Sequence, residues 1–152
     1  MIDCDLGRIV RWTGKSYPVA SQEAKLVQLV DIGSHLIEIA GERVLVLGCH
    51  DLIVFNPRSR ANRKPDGDRS KRAEAMVKEF VRFDPTVVLH LPHFTISPIT
   101  WHSSWNILKS CCPNVHTFAS GIWYSGPNET HLKDVRKRTA SESGIADIIV
   151  RI

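Results

Sequence analysis

The sequence predicts an α/β fold, a three-layer sandwich around a mostly parallel central sheet. Three observations carry this expectation. Val44, Leu45, Val46 and Leu47 form a continuous apolar run of branched residues, the pattern of a strand buried on both faces between helices. Thr86 to Leu91, TVVLHL, repeats it. Between the two, Ala73, Met76, Val77, Phe80 and Val81 recur at helical spacing. A strand, a helix and a strand in this order make a parallel crossover unit.

The 152 residues suffice for one α/β domain over 1–152, on its own or as a module of a larger protein. With 43% hydrophobic and 24% charged residues the chain has the composition of a globular protein, not of a low-complexity tract. A formal net charge of +4 permits an anionic partner without requiring one. No apolar run approaches the roughly 20 residues that span a bilayer, so no membrane role is expected. The N-terminus, MIDCDLGRIV, lacks the basic leader and long apolar core of a signal peptide. Cys4, Cys49, Cys111 and Cys112 show no CxxC spacing, and adjacent cysteines rarely make a comfortable disulfide. They read as free thiols, which places the protein in a reducing, cytoplasmic compartment.

Taken in order, Arg8 to Trp12 predicts a short strand and Thr13-Gly14-Lys15 a turn. Ser21 to Val30 fits a helix or a strand equally. Ile32-Gly33-Ser34 breaks that segment, and His35 to Ile39 reads as a strand. Ala40-Gly41-Glu42 is a tight connection into the central strand, so these two strands predict a hairpin. Arg58 to Arg72, RSRANRKPDGDRSKR, holds seven cations against two aspartates and the turn signal Pro65-Asp66-Gly67. Residues 56–70 are therefore expected to be an exposed, mobile basic loop. A helix over about Ser70 to Phe83 follows and stops at Asp84-Pro85. Beyond the second strand, Ser97-Pro98 opens a helix carrying Trp101, Trp105 and Leu108 on one face, and Pro113 ends it. Val115 to Phe118 predicts a third strand, Ser120 to Pro127 a loop, Asn128 to Arg138 a helix, and Ile145 to Ile152 a final strand.

Chemistry is expected just after the first interior strand. That run ends at Gly48, and Cys49, His50 and Asp51 follow. In open α/β sheets ligands gather at the carboxyl ends of the strands. A thiol, an imidazole and a carboxylate therefore stand where chemistry usually occurs. The same residues also read as a buried thiol, a satisfied imidazole and a turn-capping carboxylate. His90 and His93 belong to the second interior strand and its end. If the two strands are neighbours, Asp51, His93 and His50 meet at one edge, a donor set suited to zinc or manganese. In the basic stretch, Arg58, Arg60, Arg63 and Arg69 are candidates for holding phosphates of a nucleotide or nucleic acid.

The pieces HLIEIAGERVLVLGCHD, TVVLHLPH and PNVHTFASGIWYSG resemble the C-terminal half of metallo-β-lactamase-fold hydrolases of the DNA-uptake type. In that family a hairpin leads into a strand ending in a Gly-Asp metal ligand, and a later strand ends in Pro-His. The resemblance covers about residues 33–126 and implies Asp51 and His93 as metal ligands. The family's H-x-H-x-D-H motif is absent from the chain, and Phe94 stands where a second histidine is usual. Cys49, Asp51, Phe55 and Arg58 or Arg60 can also be laid on the Cys-x-Asp segment of the nitrilase group. That likeness implies Cys49 as nucleophile, with Glu38 and Lys25 as the early acid-base candidates.

The resulting expectation is a hydrolase-like site at the sheet's carboxyl edge with Asp51, His93 and Cys49 as catalytic residues. It would be metal-dependent and act on a phosphate-bearing or other anionic substrate. The alternative is a non-catalytic binding or sensor domain whose Arg-rich loop contacts nucleic acid, nucleotide or an acidic protein. A cysteine-nucleophile amidohydrolase is the third.

Overall fold

A computed structural model describes residues 2–3, 8–9, 14–18, 31–56, 58–59, 67–92, 98–123 and 145–150. The architecture is α/β with a mixed five-stranded sheet. A short antiparallel ribbon pairs β1 (Ile2–Asp3) with β2 (Arg8–Ile9). The main sheet runs in the order β3 (Leu36–Ile39), β4 (Glu42–Gly48), β5 (Val87–Leu91), β6 (Thr117–Trp123) and β7 (Ile145–Val150). Only the β3–β4 pair is antiparallel; the other three pairs are parallel.

The hairpin joining β3 and β4 turns on Ala40 and Gly41, both with positive φ, at 51° and 83°. Two such residues make the primed turn whose twist matches that of the flanking strands. Gly41 takes this backbone without strain, and Ala40 carries a Cβ into it.

Helix α1 (Asp68–Phe83) joins β4 to β5, and α2 (Pro98–Cys111) lies between β5 and β6. Both pack on one sheet face. Ala73, Met76 and Phe80 of α1 and Trp105 and Leu108 of α2 share a core cluster with Leu45, Leu47, Val88 and Phe118 of the sheet. The register explains the shared face: Leu45 pairs with Val88, and Val88 with Phe118, so these side chains project together. A 3-10 segment over Asp51–Phe55 adds Leu52, Val54 and Phe55 to the same core. The opposite face carries a smaller cluster of Ile37, Val44 and Val46 with Val87 and Leu89 against it.

Three boundaries differ from the sequence expectation. His35 lies in a 3-10 turn over Ile32–His35 capped by Asp31, and the strand starts one residue later. Helix α1 begins at Asp68, inside the stretch expected to be loop. Strand β6 runs through Ser120 to Trp123, where a loop was expected, because these residues pair with β7. The possible helix or strand at Ser21–Val30 and the helix at Asn128–Arg138 fall outside the described residues, as does most of the basic loop. Among the described residues no helix is long and apolar enough to cross a membrane.

Val88 is fully buried in the second strand of the crossover unit. Val88→Asp would place an unpaired charge between the sheet and both helices, at a cost of several kcal/mol against a total of about 5–15. Loss of cooperative urea unfolding is the expected outcome. A soluble, cooperatively folding variant would contradict the central position of β5.

Candidate functional site at the carboxyl edge of the sheet

The site grows from Gly48, the last residue of β4. A Cβ at Gly48 would lie 2.8 Å from Asp51 Oδ2, 3.3 Å from the Gly14 carbonyl and 3.4 Å from the Lys15 Cα. A side chain here would collide with the Asp51 carboxylate and crowd the main chain of 14–15. Cys49 and His50 form the turn that follows, and Asp51 opens the 3-10 segment.

Asp51 is completely buried. Its Oδ1 accepts the backbone N–H groups of Ser16 at 3.0 Å and Tyr17 at 2.7 Å, and its Oδ2 accepts that of Gly48 at 2.9 Å. The carboxylate thus ties segment 14–18 to the end of β4. Three further side chains hold the same segment. His35, also buried, donates from Nδ1 to the Val46 carbonyl at 2.6 Å, since a carbonyl only accepts. Its Nε2 meets the Ser16 hydroxyl at 2.8 Å. Arg72 donates from Nε to the Ser16 carbonyl at 2.6 Å. Arg69 donates to the Pro18 carbonyl at 2.9 Å, and its guanidinium lies over the Tyr17 ring at 4.4 Å.

His50 is half-buried, and its Nδ1 is buried with no hydrogen-bond partner among the described residues. Burial pushes its pKa below the usual 6.5. The charges of Lys15 and Arg69 lower it further, against the opposing pull of Asp51. At neutral pH it is therefore a neutral imidazole flanked by cations. Cys49 beside it is half-exposed. Below the turn, His90 is buried within β5. Its Nε2 faces the Cys49 carbonyl at 3.4 Å, and its Nδ1 meets the Ser120 hydroxyl at 3.3 Å. Desolvation lowers its pKa to about 3, partly offset by the Cys49 carbonyl.

The expected site residues are thus distributed unevenly. Cys49, His50 and Asp51 stand together at the strand end. His93, Arg60 and Arg63 lie outside the described residues, as does Lys25. Glu38 sits exposed in β3, toward the opposite end of β4. Arg58 is exposed in a short helical turn, where Asn56 Oδ1 accepts the N–H of Arg58 at 2.9 Å and of Ser59 at 3.1 Å. Asn56 Nδ2 donates to the Thr100 carbonyl of α2 at 3.0 Å. Arg69 belongs to the first turn of α1. Cys112 is a buried thiol raised to about 11, chiefly by burial, and has no place in the site.

The metal role implied for Asp51 meets these bonds directly. A carboxylate offers about four lone-pair positions, and backbone N–H groups occupy three. Among the described residues no three His, Cys, Asp or Glu side chains converge as an ion would require. Asp51 is thus committed mainly to main-chain donors, and His93, the other ligand the resemblance implies, lies outside the described residues. Sequence reading missed Lys15, the docking of Ser16–Pro18, and the roles of His35 and Arg72. No local pattern marks them, since Ser16 and Asp51 are thirty-five residues apart.

No family model, no curated protein and no solved structure matches the chain.

Two outcomes follow from this geometry. Asp51→Asn turns an NH2 group toward backbone donors, and each buried donor left unpaired costs about 1–3 kcal/mol. The variant should show a lower urea midpoint with or without added metal; an unchanged midpoint would remove Asp51 as the anchor of segment 14–18. For His90 the folded pKa lies below the unfolded one. Stability is therefore complete above about 6.5 and falls as pH drops toward 3, by about 1.4 kcal/mol per pH unit from this group. Urea unfolding between about pH 6.5 and 4.5 should show a shallower acid dependence in His90→Gln than in the parent. Equal slopes would contradict the buried neutral imidazole.

Proposed function

We propose that the carboxyl edge of the sheet is a hydrolase-like site for a phosphate-bearing or similar anionic substrate, in a cytoplasmic protein of three-layer α/β architecture. The observation that carries the reading is His50, an imidazole kept neutral at the strand end by burial and by the cations Lys15 and Arg69. A neutral imidazole accepts a proton from an attacking water or thiol. The two cations favour an anion beside it over a dication. In this reading Lys15 and Arg69 attract the substrate, His50 is the general base, and half-exposed Cys49 is the candidate nucleophile. Burial of Val44 and Val46 on the sheet face away from α1 and α2 supports a third layer.

A second reading has one observation in its favour. The buried, unpartnered Nδ1 of His50 is a nitrogen that a zinc- or manganese-class ion would accept, with His93 as the further ligand the family resemblance implies. Elemental analysis of the purified protein separates the two. A non-catalytic domain that binds nucleic acid or nucleotide through Arg58 and the basic stretch is the outcome if phosphates bind without turnover.

The test combines thermal unfolding in inorganic phosphate and pyrophosphate with hydrolysis of p-nitrophenyl phosphate. Both anions should raise the midpoint, as ligands of the native state do. Lys15→Gln should reduce that shift, and Lys109→Gln on α2 should leave it intact. His50→Ala should abolish turnover. In the parent, activity should rise with pH through a midpoint below 6.5, because the neutral imidazole is the active form. No stabilisation and no turnover would refute the reading.

A further inference from the structure

We infer that Arg72 is a positioning residue for the anion site, acting through the Ser16 main chain to hold Lys15 at the carboxyl end of β4. The inference rests on the anion reading above and adds how the site is assembled. Lys15 comes from a segment with no regular secondary structure. Left loose, such a segment would place its cation poorly, and ordering it would consume binding free energy. Instead the residue after Lys15 is bonded at all three of its polar groups. The Ser16 N–H goes to Asp51, its hydroxyl to His35, and its carbonyl accepts from Arg72. The first two partners flank strands of the sheet, His35 just before β3 and Asp51 just after β4. Arg72 is the partner supplied by α1, the crossover helix, and its bond is short at 2.6 Å. A guanidinium donating to a carbonyl is a charge-assisted bond, stronger than a neutral one.

The geometry also limits where Lys15 can go. Its Cα lies 3.4 Å from the point a Gly48 Cβ would occupy, so the segment sits close against the strand end. Movement away from it requires breaking the Ser16 bonds. An anion attracted by Lys15 and Arg69 therefore binds the seated segment more tightly than the released one. By linkage, its binding favours the seated state. The Lys15–Ser16 peptide bond reports that state, because trypsin cleaves only a locally released segment.

The experiment uses the full chain with Arg72→Gln and Arg72→Met. Both side chains suit a helix. Gln keeps a donor for the carbonyl but loses the charge, and Met loses both. Cleavage after Lys15 is followed by mass spectrometry, with cleavage after Lys109 in α2 as the reporter of general opening. Binding of inorganic phosphate is followed by titration. Arg72→Met is expected to speed cleavage after Lys15 about tenfold and to weaken phosphate binding about tenfold, the loss of one bond to a charged group. Arg72→Gln, which keeps a neutral donor, is expected to fall between the parent and Arg72→Met in both, and phosphate is expected to slow cleavage of the parent. Equal weakening of phosphate by Gln and Met would show that Arg72 acts only through its charge and overturn the inference. Acceleration after Lys15 and Lys109 alike, or none after Lys15, would overturn it too. A parent that binds no phosphate refutes the anion reading, and the cleavage rates then decide alone whether Arg72 seats the segment.

Discussion

The carboxyl edge of this sheet depends on one buried carboxylate. Asp51 is withdrawn from water and satisfied by three backbone N–H groups, two from segment 14–18 and one from the end of its own strand. A buried charge without such partners would cost more than the fold could supply. With them, it gives an irregular segment a fixed place that neither periodicity nor apolar area would provide. Gly48 belongs to the same constraint, because a side chain there would collide with Asp51 Oδ2. The strand end, the turn and the docked segment therefore form one unit, and His50 is presented from it.

The two ends of the sheet use charge differently. At the amino end opposite charges are paired. Arg43 bonds both the carbonyl and the carboxylate of Asp84, at 2.6 and 2.9 Å, and Asn114 bonds the same carboxylate. Glu42 accepts the Thr86 hydroxyl, which is the main cause of its lowered pKa, and also meets His116. These groups close the end of the crossover units where α1 stops at Asp84 in a left-handed conformation. At the carboxyl end, Arg69 and Arg72 donate to carbonyls of segment 14–18, and Arg69 lies over the Tyr17 ring. Beside them, burial first and then the charges of Lys15 and Arg69 lower the His50 pKa.

Much of the fold was legible in the sequence, because periodicity is local. The run at Val44–Leu47, the stripe on α1 and the hairpin at Ala40–Gly41 each announce themselves within a few residues; the run and the hairpin stand in the structure, and Ala73, Met76 and Phe80 of the stripe are buried with Val77 partly so, whereas Val81 is exposed. The strand-end location of Cys49, His50 and Asp51 was legible for the same reason. The failures share a different cause. Ser120 and Gly121 look like loop residues and become strand through pairing with Asp147 and Ile148 of β7, far along the chain. Arg69 and Arg72 look like part of a solvated charge block. They become helix because the stripe that begins at Ala73 buries that face of α1, and their side chains find carbonyls of segment 14–18. Lys15 and Ser16 carry no pattern at all.

Asp51 shows how far residue type and position alone can go. A carboxylate three residues past a buried strand is equally suited to hold an ion and to anchor a chain. Sequence does not separate the two, because both require the same residue at the same strand end. The partners do. An ion ligand keeps lone pairs turned toward a space that other ligands share, whereas three of the roughly four lone-pair positions of Asp51 face main-chain N–H groups of its own chain. The group at this edge with an uncommitted atom is the neighbouring imidazole, whose buried Nδ1 has no partner among the described residues. Chemistry at this edge is therefore argued from His50, with Asp51 as the anchor that holds the segment carrying Lys15 in place beside it.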